Sequence, residues 1–147
     1  MKKLLTVAAV TLLASGTAFA GTLAYGFFSD DAPGALVAGT PATGNATFIR
    51  AQNVSAGAVN LTFVLQDNTG AALHSNTGSL VSGDFFSWRP RHGQGIAPNG
   101  GSATAAGVTV NGSMTVFHDG APDSIVGNVL SIFSNGSRLG YLVQEQI

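Results

Sequence analysis

The sequence predicts an all-β fold, an immunoglobulin-like antiparallel β-sandwich of about seven to eight short strands, and three observations support it. Apolar and polar residues alternate in short segments, turn-forming residues separate those segments, and beyond residue 20 no stretch repeats its apolar residues with the helical period. A small β-barrel fits the same pattern and stays the alternative. The chain contains no cysteine, so we expect no disulfide to support the fold.

The first element precedes that domain. Lys2 and Lys3 come before an apolar run over 4–14, and Ala18-Phe19-Ala20 supplies the small residues that signal peptidase requires. We therefore expect residues 1–20 to be a cleavable signal peptide that forms a helix. The apolar run is shorter than the roughly 20 residues of a membrane span, so we expect no transmembrane anchor in the mature chain. This predicts export to a secreted, periplasmic or cell-surface location.

Residues 21–45 form an N-terminal region of two parts. An apolar segment at 22–28 is followed by a linker rich in Gly, Pro, Ala and Thr that shows no periodicity. A connection of that length without secondary structure is uncommon in a compact domain. Two interpretations stay open. The segment is either the first strand of the domain or an arm that pairs with a neighbouring molecule by β-strand addition, through Leu23, Tyr25, Phe27 and Phe28.

The remaining residues, 46–147, are expected to form the sandwich itself. Alternation is clearest at 58–66, and further strands are predicted at 46–52, 84–89, 107–110, 113–118, 125–133 and 138–144. Asn111-Gly112 and Asn135-Gly136 predict hairpin turns, and 67–70 predicts another turn. The last strand carries apolar residues on both faces up to Leu142, which predicts a central strand or one that something else covers.

Charge is sparse once the leader is removed. The mature chain keeps four arginines against six aspartates and Glu145, a net charge of about −3. Nucleic-acid-binding domains concentrate Lys and Arg on one face, so this composition argues against that class. A surface with so little charge offers little repulsion against association. We therefore expect self-association into a homo-oligomer or polymer.

The most unusual local pattern is Trp88 followed by Arg89, Arg91 and His92, at the end of a predicted strand. An aromatic ring beside guanidinium groups is a candidate ligand patch, suited to stacking on a carbohydrate and to binding an anion. The alternative interpretation places Trp88 in the core, as is usual in sandwiches, with the arginines holding a loop in water.

Catalytic and metal signatures are weak. His74, His92 and His118 are isolated in sequence, and neither Asp30-Asp31 nor the pair Asp119 and Asp123 matches a calcium loop. The chain has no cysteine nucleophile, no Gly-x-Ser-x-Gly motif, and only one glutamate, Glu145. We therefore expect no enzyme activity, no metal and no cofactor.

Asparagines often stand in the sequence Asn-x-Ser/Thr, which is an acceptor for N-glycosylation in export pathways that carry the transferase. The same residues also share turns and exposed strand faces, which is the alternative explanation. The candidate acceptors are Asn45, Asn53, Asn60, Asn111 and Asn135.

These features together favour a structural protein, a subunit of an extracellular filament, coat or matrix. In outline, an exported β-domain with an N-terminal extension is similar to donor-strand pilins, although this chain lacks the cysteine pair that such pilins commonly carry. No family is assigned on that outline. The alternative function is a small secreted binding module for carbohydrate or another surface ligand, centred on residues 88–92.

Overall fold

The computed structural model describes residues 19–34, 36, 38–92, 94–96, 110–143 and 145–146, and over those residues it contains strands and no helix. The strands are β1 (Gly21–Asp30), β2 (Asn45–Asn53), β3 (Val59–Asp67), β4 (Ala72–Leu80), β5 (Phe85–Arg89), β6 (Gln94–Ile96), β7 (Val110–His118), β8 (Ile125–Phe133), β9 (Arg138–Val143) and β10 (Glu145–Gln146). The predicted leader at 1–18 and most of the predicted strand at 107–110 lie outside the described residues.

The strands form two antiparallel sheets, each with four long strands and one short strand at an edge. The first sheet has the order β10-β1-β7-β3-β4, and the second has the order β6-β5-β2-β8-β9. Inward-facing side chains of both sheets belong to one apolar core. The prediction of an all-β fold is confirmed, and two sheets packed face to face are consistent with a β-sandwich.

The core follows from the alternation that the sequence shows. On β3, Leu61, Phe63 and Leu65 are all buried because they point to the same side of the first sheet. Phe63 meets Phe86 of the second sheet with ring centroids 4.2 Å apart. Full burial of each such side chain is worth roughly 1.5–3 kcal/mol, so these inner faces hold the two sheets together.

The segment at 22–28 lies within β1, in the chain's own first sheet. It pairs with β7 on one side and with the short β10 on the other. Leu23, Tyr25 and Phe28 are buried, whereas an irregularity in register between Tyr25 and Phe28 leaves Phe27 68% exposed. This is the first of the two arrangements expected for the segment, an intramolecular strand followed by a long connection over 31–44.

Two predicted turns are confirmed. Asn135-Gly136 lies in the loop between β8 and β9, where Gly136 has a φ of 82° and Phe133 N donates to Ser137 O at 3.0 Å. In the loop from β3 to β4, Asp67 Oδ1 accepts hydrogen bonds from the Thr69 and Ala71 amides at 2.8 and 2.9 Å. These side-chain bonds reinforce a backbone turn in which the Gly70 amide donates to the Asp67 carbonyl at 3.1 Å, a use common for aspartate.

The hairpin predicted at Asn111-Gly112 is wrong. Both residues lie inside β7, where Gly112 pairs with Asp67 of β3 and Asn111 pairs with Ser29 of β1. A side chain at Gly112 would collide with the Gln66 carbonyl on β3. The glycine is there because two backbones approach closely, which is a second use of glycine inside strands.

Two edge strands differ from the sequence expectations. β4 was not predicted, because its residues are mostly polar and it lies at the edge of the first sheet with much of its length exposed. β9, expected to be central or covered, is the edge strand of the second sheet, and Leu142 is 83% exposed. Its apolar outer side is uncovered in the single chain, as far as the described residues show.

Candidate functional site

The predicted ligand patch at Trp88, Arg89, Arg91 and His92 is mostly interior. Trp88 is 3% exposed and Arg89 is 0% exposed, so neither side chain presents a surface for stacking or anion binding. Trp88 lies in the core against Phe86, with ring centroids 6.1 Å apart. Trp88 is therefore a core residue, as the alternative interpretation predicted. The same interpretation placed Arg89 in a solvated loop, which is wrong because Arg89 is buried.

Arg89 is the centre of a buried polar cluster. Its Nε donates to Asp30 Oδ1 at 2.9 Å, and its Nη1 and Nη2 donate to the Gly34 and Ala32 carbonyls at 2.7 and 2.6 Å. The Arg91 amide donates to the second oxygen of Asp30 at 2.9 Å. Burial raises the pKa of the Asp30 carboxyl, and the hydrogen bonds from Arg91 and Arg89 oppose that rise.

The Arg89 cluster joins the end of β5 to the beginning of the long connection after β1. The Arg91 guanidinium also contacts the Asp31 carbonyl, and His92 Nε2 lies 3.0 Å from the Ala32 carbonyl. A buried arginine with a carboxylate and several carbonyl acceptors is fully engaged. These contacts give the cluster a structural role in fixing residues 30–34.

The outer face of the second sheet is built differently. On β2, Arg50 and Gln52 point outward because the alternate residues Ile49, Ala51 and Asn53 point into the core. Strand pairing places Ser87 of β5 and Asn128 of β8 on either side of Arg50. Polar side chains from three strands thus meet in one row.

A groove with a volume of about 590 Å³ runs over this face. We call it the Arg50 groove, and its outward side chains are Arg50, Gln52, Phe85, Ser87, Val126, Asn128 and Leu142. A neighbouring hollow of about 240 Å³ continues along β8 and β9 past Leu130 and Tyr141. The Arg50 groove combines exposed apolar side chains with a central cation, a mixture typical of recognition sites.

Two polar groups in the Arg50 groove lack partners. Arg50 is exposed and its guanidinium has no acceptor among the described residues, and Asn128 Oδ1 is buried without a hydrogen-bond donor there. A buried acceptor without a partner is uncommon, because leaving it unpaired costs roughly 1–3 kcal/mol. The groove can therefore offer five guanidinium donors and one amide oxygen to an incoming group.

Sequence reasoning did not find the Arg50 groove. Its residues come from β2, β5, β8 and β9 and are far apart in the sequence, so no local pattern connects them. The only available signal was alternation, which places Arg50 and Gln52 on the polar side of a predicted strand. The pairing of that strand with β5 and β8 is a property of the fold.

The predicted assembly segment, residues 22–28, contacts the backbone of the strand that carries Arg50. Leu23, Tyr25 and Phe28 are in the core, and only Phe27 is exposed. The Tyr25 hydroxyl donates to the Arg50 carbonyl at 2.9 Å, and burial, with a smaller contribution from Tyr141, raises the pKa of Tyr25. Tyr141 donates to the Gly26 carbonyl at 3.3 Å, and burial raises its pKa as well. Both hydroxyls thus stay protonated as donors.

The five candidate glycosylation sites lie in different environments. Asn60, Asn111 and Asn135 are exposed, and Asn45 is half-buried at the start of β2. Asn53 is 0% exposed, and its amide donates to the Leu80 and Gly57 carbonyls at 2.8 and 2.7 Å. A glycan at Asn53 would require the loss of those bonds.

The histidines and acidic residues do not converge. His74 lies beside Trp88, His92 belongs to the Arg89 cluster, and His118 lies next to Glu145. Asp119 accepts hydrogen bonds from the backbone and side chain of Asn60, which serves turn geometry. In the part of the chain that the structure describes, no group of three or more metal-ligating side chains comes together.

Comparisons with known proteins give no family. No protein-family model, no curated protein and no solved structure matches the chain. Among the described residues, no helix has the length and apolar character needed to cross a membrane.

Proposed function

We propose that this chain is an exported structural protein, a subunit of an extracellular filament, coat or matrix, and that it assembles through the outer face of its second sheet. The proposal includes an immunoglobulin-like sandwich, removal of residues 1–20, and a secreted or cell-surface location. The observation that carries it is Leu142, which is 83% exposed on an edge strand and lines the Arg50 groove. An edge strand also presents unpaired backbone groups to a second molecule.

A second copy of this chain is the partner that the surface favours. Phe85, Val126 and Leu142 are exposed together on the Arg50 groove. Contiguous apolar surface of this kind marks interaction sites. The few charges of the chain offer little repulsion between copies, and β9 of one copy can pair with β9 of another.

Assembly by β-strand addition through residues 22–28 would require strand exchange between copies. Since β1 occupies the chain's own sheet, residues 22–28 can reach a neighbour only by exchange of that strand between copies. Exchange would first have to remove Leu23, Tyr25 and Phe28 from the core. Edge pairing through β9 requires no such unfolding, and we therefore favour it.

The first experiment compares two exposed leucines on opposite sheets. Leu142→Gln changes the Arg50 groove, and Leu73→Gln changes the edge strand of the first sheet as a matched control. We expect sedimentation and electron microscopy of the mature protein to show assembly that rises with concentration. Leu142→Gln should weaken it about tenfold or more, since loss of a buried leucine contact at an interface costs roughly 1–3 kcal/mol. A mature protein that stays monomeric at every concentration would overturn the proposal.

A cysteine pair distinguishes edge pairing from strand exchange. Ala24 of β1 and Thr115 of β7 are directly paired across the first sheet, and the chain has no cysteine of its own. In assemblies of Ala24→Cys/Thr115→Cys, edge pairing predicts a disulfide within each chain. Exchange predicts disulfides between chains, visible as covalent multimers on a non-reducing gel.

A second candidate function is a binding module whose site is the Arg50 groove. The observation that favours it is that the Arg50 guanidinium and Asn128 Oδ1 lie together beside exposed apolar side chains, and neither has a hydrogen-bond partner among the described residues. Such a site fits an acidic saccharide, with its carboxylate on Arg50 and its C–H faces on Phe85. A glycan panel tests it: Arg50→Gln should abolish retention of uronic-acid glycans, and equal retention by the variant excludes this candidate. Trp88→Ala is uninformative because Trp88 is in the core.

A further inference from the structure

The start of β1, the end of β7 and the short strand β10 meet at one end of the first sheet. His118, the last residue of β7, is 0% exposed, and its Nε2 lies 3.1 Å from Oε1 of Glu145 on β10, whose side chain is 4% exposed. Glu145 Oε2 accepts a hydrogen bond from the Asp123 amide at 2.5 Å. Neither ring nitrogen of His118 makes a hydrogen bond within the described residues. Among the described residues, the Glu145 carboxylate is thus held in the interior with one hydrogen bond, and its ion-pair partner is a histidine, which is not a permanent cation.

Gly21 lies directly against this pair. A Cβ built on Gly21 would overlap Glu145 Oε1 and would lie 2.5 Å from two atoms of the His118 ring. Because a backbone nitrogen is only about 2.5 Å from the Cβ of its own residue, the Gly21 nitrogen is close to the carboxylate. Residue 21 is also the one that becomes the first residue after the predicted cleavage.

The direction of that nitrogen follows from the strand pairing. The Ala20 amide donates to the His118 carbonyl at 2.7 Å, so it points toward β7. Successive amides of a strand point to opposite sides, and the Gly21 nitrogen therefore points away from β7. On that side of β1 lies β10, which carries Glu145.

We propose that removal of the leader creates a binding partner for Glu145: the α-ammonium of Gly21. The inference rests on the proposed export, because it needs hydrolysis of the bond between Ala20 and Gly21. Water adds across that amide, the leader leaves with the Ala20 carboxylate, and Gly21 retains the nitrogen as an ammonium group. The Glu145 carboxylate then gains a permanent cation, in addition to the neighbouring His118 ring, in a site that excludes water.

Leader removal also changes the neighbouring surface. Phe19 packs on Phe117 of β7, with ring centroids 5.6 Å apart, and leaves with the leader. Phe117 itself is half-buried while Phe19 is present. Cleavage therefore removes the contact between Phe19 and Phe117 and adds an ion pair between Gly21 and Glu145. That ion pair links the new N-terminus to β10.

The test measures how well the folded protein protects its own α-amine. Protein that begins at Gly21 is prepared from a fusion cleaved without extra residues, and the rate of N-terminal acylation by a small activated ester is followed by mass spectrometry. We expect acylation about tenfold or more slower than in a peptide of residues 21–28, because ion pairing in a buried site holds the amine protonated. Glu145→Gln should restore the rate toward that of the peptide.

A second comparison leaves every side chain in place. A chain extended by Ala20 places its amine one residue beyond the site, and we expect that amine to react as fast as the peptide. Equal acylation rates in the native chain, Glu145→Gln and the extended chain would overturn the inference. The export proposal is judged separately, from whether the protein leaves the cell without its leader. Retention of the full chain inside the cell would overturn export, whereas the acylation rates of the protein that begins at Gly21 decide the ion pair.

Discussion

Arg50 and Arg89 lie on neighbouring strands of the same sheet, and the fold uses them in opposite ways. Arg89 is buried on β5 with a carboxylate and two backbone carbonyls, whereas Arg50 is exposed on β2 with no acceptor among the described residues. The sequence around Arg89 is the more unusual of the two, yet the structure assigns it to the interior. The difference shows that an arginine available for recognition is identified by the face of the strand it occupies.

The largest expected effect separates these two arginines directly. Arg89→Met should lower the free energy of unfolding by about 3–5 kcal/mol, because it leaves Asp30 as a buried carboxylate without its cation. Arg50→Met, the matched control, should change it by less than about 0.5 kcal/mol, as is usual for surface substitutions. Urea unfolding measures both values. Similar losses in the two variants would mean that Arg50 is as deeply engaged as Arg89.

The same contrast between inside and outside holds along β5 itself. Trp88→Ala should cost about 3 kcal/mol or more, since it leaves a cavity beside Phe63 and Phe86. Phe85→Ala should cost less than about 1 kcal/mol because the ring is already 45% exposed. Thermal unfolding of the two variants provides the comparison. An equal loss would show that Phe85 is covered in the protein as it exists in solution, for example by a second copy.

The smallest expected effect concerns two aspartates. Hydrogen bonds from Thr69 and Ala71 hold the pKa of Asp67 below its usual value. Its contribution to stability is therefore present above the pKa of the unfolded chain and is lost as the pH falls through the lower, folded-state pKa. Burial raises the pKa of Asp30, so Asp30 contributes with the opposite sign.

Asp67→Asn should accordingly reduce the loss of stability on acidification. The measurement is the difference between urea midpoints at pH 7 and pH 3, in the wild type and in the variant. We expect a smaller difference in Asp67→Asn than in the wild type. If the two differences are the same, the turn bonds of Asp67 persist in the unfolded chain or contribute nothing.

Much of the fold could be predicted from the sequence, because alternation is a local signal. The strands around Leu61 and Val129 and the turns at 67–70 and 135–136 are of this kind. The failures come from information that is not local. The sequence Asn111-Gly112 predicts a turn, whereas the structure shows that glycine is needed at 112 because the β3 backbone approaches closely. The polar strand β4 shows no alternation of apolar residues, because most of its length faces water.

The candidate site was less predictable than the fold. Trp88 and Arg89 attract attention by residue type, and burial decides their role. The Arg50 groove depends on which strands are neighbours, and strand order in a sandwich is not encoded in any single segment. Leu142 is an intermediate case: its strand is apolar on both faces as the sequence indicates, yet it lies at the sheet edge with Leu142 83% exposed, and whether anything covers it stays a prediction.

The position of β1 also has a kinetic consequence. The strand synthesised first pairs with β7 and β10, which lie near the end of the chain. Closing such distant pairs is slow, because a long loop must be ordered before any contact is gained. The first sheet therefore cannot be completed until residues 145–146 have been synthesised. For the export that we propose, this delay would favour threading of the unfolded chain through a narrow translocation pore.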